Sequence, residues 1–171
     1  MIDIELTKVG EVKPDVSLEV RVETIKLTFD LLVELDLTER PSYNREKLLA
    51  YDAFLCGWCL EHPRYKTLGI RPVVLFVCRD ERSILGCAKV ADEVMTGRIG
   101  VMGAPADQWY YPGREHLLFA RETDIHRGRL NVFALPSLPP NVRESLAGDR
   151  HLSVRPVSLL PETVVGKAGG G

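Results

Sequence analysis

The chain lacks several things, and each absence narrows what it does. It has no run of about eighteen apolar residues, the length a membrane-spanning helix needs, so no membrane partner is expected. It lacks a strong charge of either sign. With 22 Lys and Arg against 24 Asp and Glu the formal net charge is −2, which excludes a polybasic nucleic-acid binder. Any contact with phosphates then depends on a local positive rim. Four cysteines in 171 residues are too few for a disulfide-stapled scaffold. The first residues, MIDIELTKVG, carry acids and no apolar core segment, so they do not read as a signal peptide and a cytoplasmic location is expected. No internal repeat is visible. What remains is ordinary globular composition, 45% apolar and 27% charged, in a chain of one domain's length.

The stretch from Lys13 to Tyr51 organises the rest. Residues 16–25 alternate Val16, Leu18, Val20 and Val22 with Ser17, Glu19, Arg21 and Glu23, the period of a half-buried strand. Residues 27–37 alternate again. Leu27, Phe29, Leu31, Val33 and Leu35 share one face, and Thr28, Asp30, Leu32, Glu34 and Asp36 share the other. Side chains two apart on a strand lie roughly 6.6 Å from each other along the backbone. Glu34 and Asp36 therefore present two carboxylates to the same side, and like charges so placed call for a cation or donor between them. Mg²⁺ suits such a site, because it takes one or two carboxylates and fills its shell with waters and phosphate oxygens. Asp15, just after Pro14 at the mouth of the first strand, is a third carboxylate that a hairpin would return to Glu34. The alternative is a turn aspartate and a solvated strand face.

A helix is expected from Ser42 or Asn44 to about Leu60, with Leu48, Leu49, Ala53, Leu55, Cys56 and Cys59 on its apolar stripe. Asn44, Lys47 and Tyr51 make a narrow polar edge at i, i+3, i+7. Pro14-Asp15, a hairpin, Glu34-Leu35-Asp36 and this helix resemble the PD-(D/E)xK nuclease superfamily, the restriction-endonuclease-like fold. The likeness is greatest to bacterial replication-relaxation type proteins, where a helix with Lys and Tyr and then a hydrophobic strand (here RPVVLFVC) follow the second motif. The resemblance covers about residues 10–103. It implies a Mg²⁺ or Mn²⁺ site at Asp15 and Glu34, with Asp36 a further ligand or water-orienting group, and DNA as substrate. The family pattern has Lys two residues after the Glu, where this chain has Asp36. Lys47, if the helix abuts the end of the site strand, would supply that positive charge from another backbone position; otherwise it is a solvated helix lysine.

Other chemistry is weighed beside this. Cys56-Gly57-Trp58-Cys59 has the spacing of a thiol–disulfide site or half a zinc site. It sits at a helix C-terminal end, however, where the dipole raises a thiol pKa instead of lowering it, and Cys78 and Cys87 read as buried. Downstream, 62–69 is expected as a loop and Val73–Cys78 as a strand buried on both faces. Asp80 caps a helix over about 81–95, with Gly97 beyond its end. Residues 98–103 read as the next strand, making a parallel crossover and a sheet with helices on both sides. Trp109, Tyr110 and Tyr111 lie in a loop and read first as packing residues. Residues 116–124 and 128–135 read as a hairpin carrying Arg121, His126, Arg127 and Arg129; Arg121, Arg127 and Arg129 are the candidate phosphate-contacting rim.

The sequence reading is thus an α/β protein with a restriction-endonuclease-like core over 1–135 and a Pro/Gly-rich extension over 136–171, its end flexible. The expected activity is metal-dependent hydrolysis of DNA phosphodiesters at Asp15, Glu34, Asp36 and Lys47. The alternatives are a non-catalytic DNA- or protein-binding accessory of plasmid replication or relaxation, and a thiol oxidoreductase using Cys56 and Cys59. Expected partners are DNA, a relaxase or replication protein, and a second copy of the chain. The helix that usually precedes the Pro-Asp strand in this superfamily has no counterpart in the sequence: either a short strand at 2–7 replaces it or the chain is a fragment.

Overall fold

Strand β1 (Val16–Val22) and strand β2 (Leu27–Asp36) form an antiparallel hairpin in the computed structural model, which describes residues 12–36 and 41–159. The expected strand at 2–7 lies outside the described residues. Strand β1 stops three residues early because Glu23–Ile25 turns as a 3-10 helix, closed by Lys26 in the left-handed region at φ 54°. The register pairs Val16 with Val33, Leu18 with Leu31, Val20 with Phe29 and Val22 with Leu27. Cross-strand partners point the same way, so the apolar faces of the two strands coincide.

The rest of the chain builds outward from β2. Helix α1 (Pro41–Ala53) runs into a π-helical turn at Phe54–Trp58 and a 3-10 turn at Cys59–Glu61. Residues expected as a loop form helix α2 (Pro63–Leu68), bounded by Pro63 in its first turn and by Gly69 at φ 69°, the Pro-start and Gly-stop that favour a helix. Strand β3 (Val73–Cys78) is parallel to β2, and Asp80 caps α3 (Glu81–Val94) by accepting from the Ser83 amide at 2.8 Å.

Residues 98–103 do not form the expected strand. Ile99 makes a single bridge to Tyr110. The parallel neighbour of β3 is instead β4 (Leu117–Arg121), after a short helix α4 (Pro112–Glu115). Gly97, Gly100 and Gly103 interrupt the segment, and Gly100 is pressed against the Trp109 ring, where a Cβ would come within 2.7 Å. Gly97 does not end α3 at C′ but takes a tertiary role: its amide donates to the buried Asp52 carboxylate at 2.8 Å.

The expected hairpin near residue 126 exists in altered form. Strands β4 and β5 (Val132–Ala134) pair antiparallel, but Glu122–His126 between them coils into a helical turn, α5. The extension then packs back: α6 (Pro140–Ala147) buries Val142, and β6 (Arg155–Val157) adds to β5. The result is one open mixed sheet in the order β1-β2-β3-β4-β5-β6.

Its two faces differ. One carries Leu32, Val74, Phe76, Leu117 and Phe119 against Leu48, Tyr51, Phe54 and Leu55 after β2 and against Ile84, Ala88 and Ala91 of α3. The other gathers Phe29, Leu31, Leu75, Val77, Leu118 and Val132, and its buried members are all strand residues. Helical core residues therefore belong to one face among the described residues, not to both as the crossover reading expects. The buried stripe of α1 runs through Leu48 and Tyr51 and on to Leu55, narrower than the apolar residues alone suggest. Tyr51 is buried, whereas Leu49 is 45% exposed.

Candidate functional site

The polar side of β2 faces the helices, not solvent. Asp30, Glu34 and Asp36 are all buried on this face. A buried carboxylate must find donors or a counter-charge, and the helices following β2 supply them. The Arg64 guanidinium of α2 makes a two-pronged ion pair with Asp30 and reaches Glu19 at 2.9 Å. Asn44 of α1 donates to Asp36 Oδ2 at 2.8 Å. Lys47 and Tyr51, one turn apart on α1, both donate to Glu34: the ammonium to Oε2 and the phenol, at 2.5 Å, to Oε1.

Asp15 joins from the mouth of β1. Its Oδ2 accepts from the Leu35 amide at 2.8 Å and lies 3.9 Å from Lys47 Nζ. The structure thus brings Asp15, Glu34 and Lys47 together, although thirteen residues separate Glu34 from Lys47 and a whole hairpin separates Asp15 from both. Asp36 shares the face of Glu34 but turns its carboxylate toward Asn44. A cleft of about 250 Å³ opens over Glu34, lined by Val12, Lys13, Glu46, Lys47, Ala50 and Tyr51. Asp36 does not line it.

The electrostatics are finely opposed. Burial pushes the Glu34 carboxyl up, the donated bonds from Lys47 and Tyr51 pull it down, and burial prevails. Burial and the adjoining Glu34 charge raise the Tyr51 phenol, which therefore stays a neutral donor. A carboxylate so placed still has lone pairs to give, since each of its oxygens accepts more than one bond. Asp15 is 44% exposed as a side chain, so its carboxylate meets solvent. Two carboxylates with open valences, one of them accessible, fit a hard divalent cation that fills its shell with water. No group of three or more acid, His or Cys side chains close enough to hold a metal ion occurs among the described residues. The three carboxylates therefore do not converge, because Asp36 points one pleat further along the strand and is held by Asn44.

The candidate rim is distributed. Arg121 stands in one cross-strand row with Asp36 and Cys78, two strand spacings or about 9.6 Å from Asp36, and pairs with Asp124 at 2.8 Å. Arg127 and Arg129 are exposed in the turn after α5. Arg79 and Arg82 are exposed where β3 passes into α3 and belong to the same carboxyl end of the parallel strands, where α/β sheets generally bind ligands. Sequence reading missed these two arginines, and the Asp30–Arg64 pair as well. The signal for Asp30 was present in its parity with Glu34 and Asp36. The signal for Arg64 was not, because its helix was expected as a loop.

The cysteines are placed away from this chemistry. Cys56 is half-buried and Cys59 buried, and burial pushes both thiols up, opposite to what a nucleophilic thiolate needs. No described helix is long and apolar enough to cross a membrane. Comparisons with models of protein families, with curated proteins and with solved structures return no match.

Proposed function

We propose that this protein is a restriction-endonuclease-like, divalent-cation-dependent hydrolase of DNA phosphodiesters, working at Asp15, Glu34 and Lys47. One observation carries the reading: helix α1 brings the Lys47 ammonium onto Glu34 and within 3.9 Å of Asp15, so the positive group absent from position 36 is present in space. Asp15 and Glu34 would hold Mg²⁺ or Mn²⁺. A bound cation at such a site supplies positive charge to the scissile phosphate and lowers the pKa of a water. Lys47 holds Glu34 in place and sets its positive charge beside a phosphate oxygen or the attacking water. Tyr51 fixes the other Glu34 oxygen. Asp36, through Asn44, secures the start of α1 and hence the position of Lys47. Arg79, Arg82, Arg127 and Arg129 would meet the DNA backbone at the carboxyl ends of the strands.

The test combines calorimetric titration of the protein with Mn²⁺ and a plasmid-nicking assay. The reading expects saturable Mn²⁺ binding that is lost in Glu34→Gln and Asp15→Asn, with nicking lost in the same variants and in Lys47→Met. Nicking that survives Glu34→Gln refutes it.

A second reading, a non-catalytic DNA- or protein-binding accessory of replication or relaxation, is favoured by the same ion pair seen differently. Lys47 already pairs with Glu34, so the carboxylate has a counter-charge without a metal cation. DNA retained without Mn²⁺ binding or nicking would decide for it.

A further inference from the structure

The non-helical face of the sheet holds a second concavity, unrelated to Glu34. It measures about 390 Å³, within the range of small-molecule sites. Its floor is apolar and comes from four strands: Phe29 of β2, Val73 of β3, Leu118 of β4 and Ala134 of β5. It lies toward the amino ends of the parallel strands, at the opposite end and on the opposite face from the Glu34 cleft.

The wall is chemically biased. Arg71 and Arg155 line it, and among the described residues neither has a carboxylate within ion-pair distance, whereas Arg64, Arg114, Arg121 and Arg143 all do. Arg71 is also built in. Its Nε donates to the Leu55 carbonyl at 2.7 Å and its guanidinium lies 5.7 Å from the Tyr110 ring centroid, which fixes the group while leaving its terminal N–H groups without a carboxylate. Tyr110 is held in turn by His116, 2.8 Å from its hydroxyl. Burial and the nearby Arg71 hold His116 below its usual pKa, so it adds no charge at neutral pH. Glu115, also on the wall, is exposed and pairs with neither arginine.

We propose that this groove binds a small amphipathic anion, an apolar chain or ring bearing one carboxylate or phosphate, with the body on the Phe29–Leu118–Ala134 floor and the head at Arg71 and Arg155. An apolar floor alone would take any greasy body. Two guanidiniums without carboxylates select the sign of the head, since charge-assisted bonds to arginine are strong and directional.

Calorimetric titration of the full-length protein with octanoate, octyl phosphate and octylammonium tests this, with amide chemical shifts reporting the location. The expected result is saturable binding of an anion, preferred over octylammonium by at least about tenfold, with shifts at Val73 and Ala134 and none at Lys47. Octanoate against octyl phosphate identifies the head. Arg155→Glu alters an exposed residue, so it tests the head without risk to the fold and should cut anion affinity about tenfold or more. Ala134→Leu fills the floor and should weaken all bodies alike. Equal binding of octylammonium, an unchanged affinity in Arg155→Glu, or no saturable binding of either anion overturns the proposal. None of these outcomes bears on Mn²⁺ at Glu34.

Discussion

Two buried acid–cation clusters in this protein use the same chemistry to different ends. At Asp92 a carboxylate on α3 is gripped by Arg114 of α4 and by Arg143 of α6 at 2.8 Å. Arg114 is itself fully buried and also donates to the carbonyls of Pro136, Asp92 and Met95. Burial alone would raise Asp92, but the two guanidiniums outweigh it and hold the carboxyl below its usual range. At Glu34 one ammonium and one neutral phenol are not enough, burial prevails, and the carboxyl stays raised. The first cluster is buried, sets two guanidiniums on one carboxylate and ties the C-terminal extension to the core. The second is under-compensated and opens to a cleft. An acid held with less positive charge than its burial demands is one that a cation or phosphate-bound metal would relieve.

That contrast can be broken by mutation. The largest effect is expected from Arg114→Met, which leaves Asp92 in a buried site with half its counter-charge. Removing one partner of a buried pair costs about 3–5 kcal/mol, to be read from the urea midpoint. Glu34→Gln keeps the shape and its bond from Tyr51, and should cost about 1–3 kcal/mol while abolishing Mn²⁺ heat. A loss equal to that of Arg114→Met with Mn²⁺ heat unchanged would make Glu34 a second structural clamp and erase the distinction.

The two acids should also titrate with opposite sign. Asp92 has a depressed folded pKa, so its contribution is full above the ordinary Asp value of 3.8 and is lost as pH falls through the folded pKa. Glu34 has a raised folded pKa, so the folded state holds its proton more tightly. Its contribution declines as pH rises from the ordinary Glu value of 4.5 through the folded one. Stability measured against pH for wild type minus Asp92→Asn should therefore rise with pH, and for wild type minus Glu34→Gln it should fall. Parallel slopes would contradict the contrast.

The smallest effects belong to the rim. Arg127→Gln and Arg129→Gln are surface changes expected within about 0.5 kcal/mol of wild-type stability. Each should lower the salt dependence of DNA binding by roughly one counterion, measured by anisotropy across a salt series.

Much of this was legible in the sequence. The parity of Leu27–Asp36 located a strand and both of its faces, Asp80 marked a helix start, and the i, i+3, i+7 edge of Asn44, Lys47 and Tyr51 identified the three side chains that α1 turns toward β2. The misreadings share a cause. Residues 98–103 have strand-like apolar residues, but Gly100 serves close packing against Trp109 and Gly103 turns the chain at φ 85°. The loop assigned to 62–69 contained a Pro–Gly bounded helix too short for periodicity to reveal. Leu49 was expected inward because it is apolar, yet it is exposed, since the buried stripe of α1 runs through Leu48 and Tyr51 and on to Leu55, at i, i+3, i+7, and leaves the neighbouring position outside.

The sequence by itself determined which side chains travel together: alternation and helical spacing are local, set by backbone geometry within a few residues. It also determined that three acids of β2 share one face. Only the tertiary structure decided that this polar face turns inward, that α1 sets Lys47 on Glu34 while Asn44 takes Asp36, and that Asp92 receives two arginines where Glu34 receives one lysine. Those outcomes depend on which elements pack against which, and a carboxylate's pKa and reactivity follow from the charges that the fold, not the neighbouring sequence, brings to it.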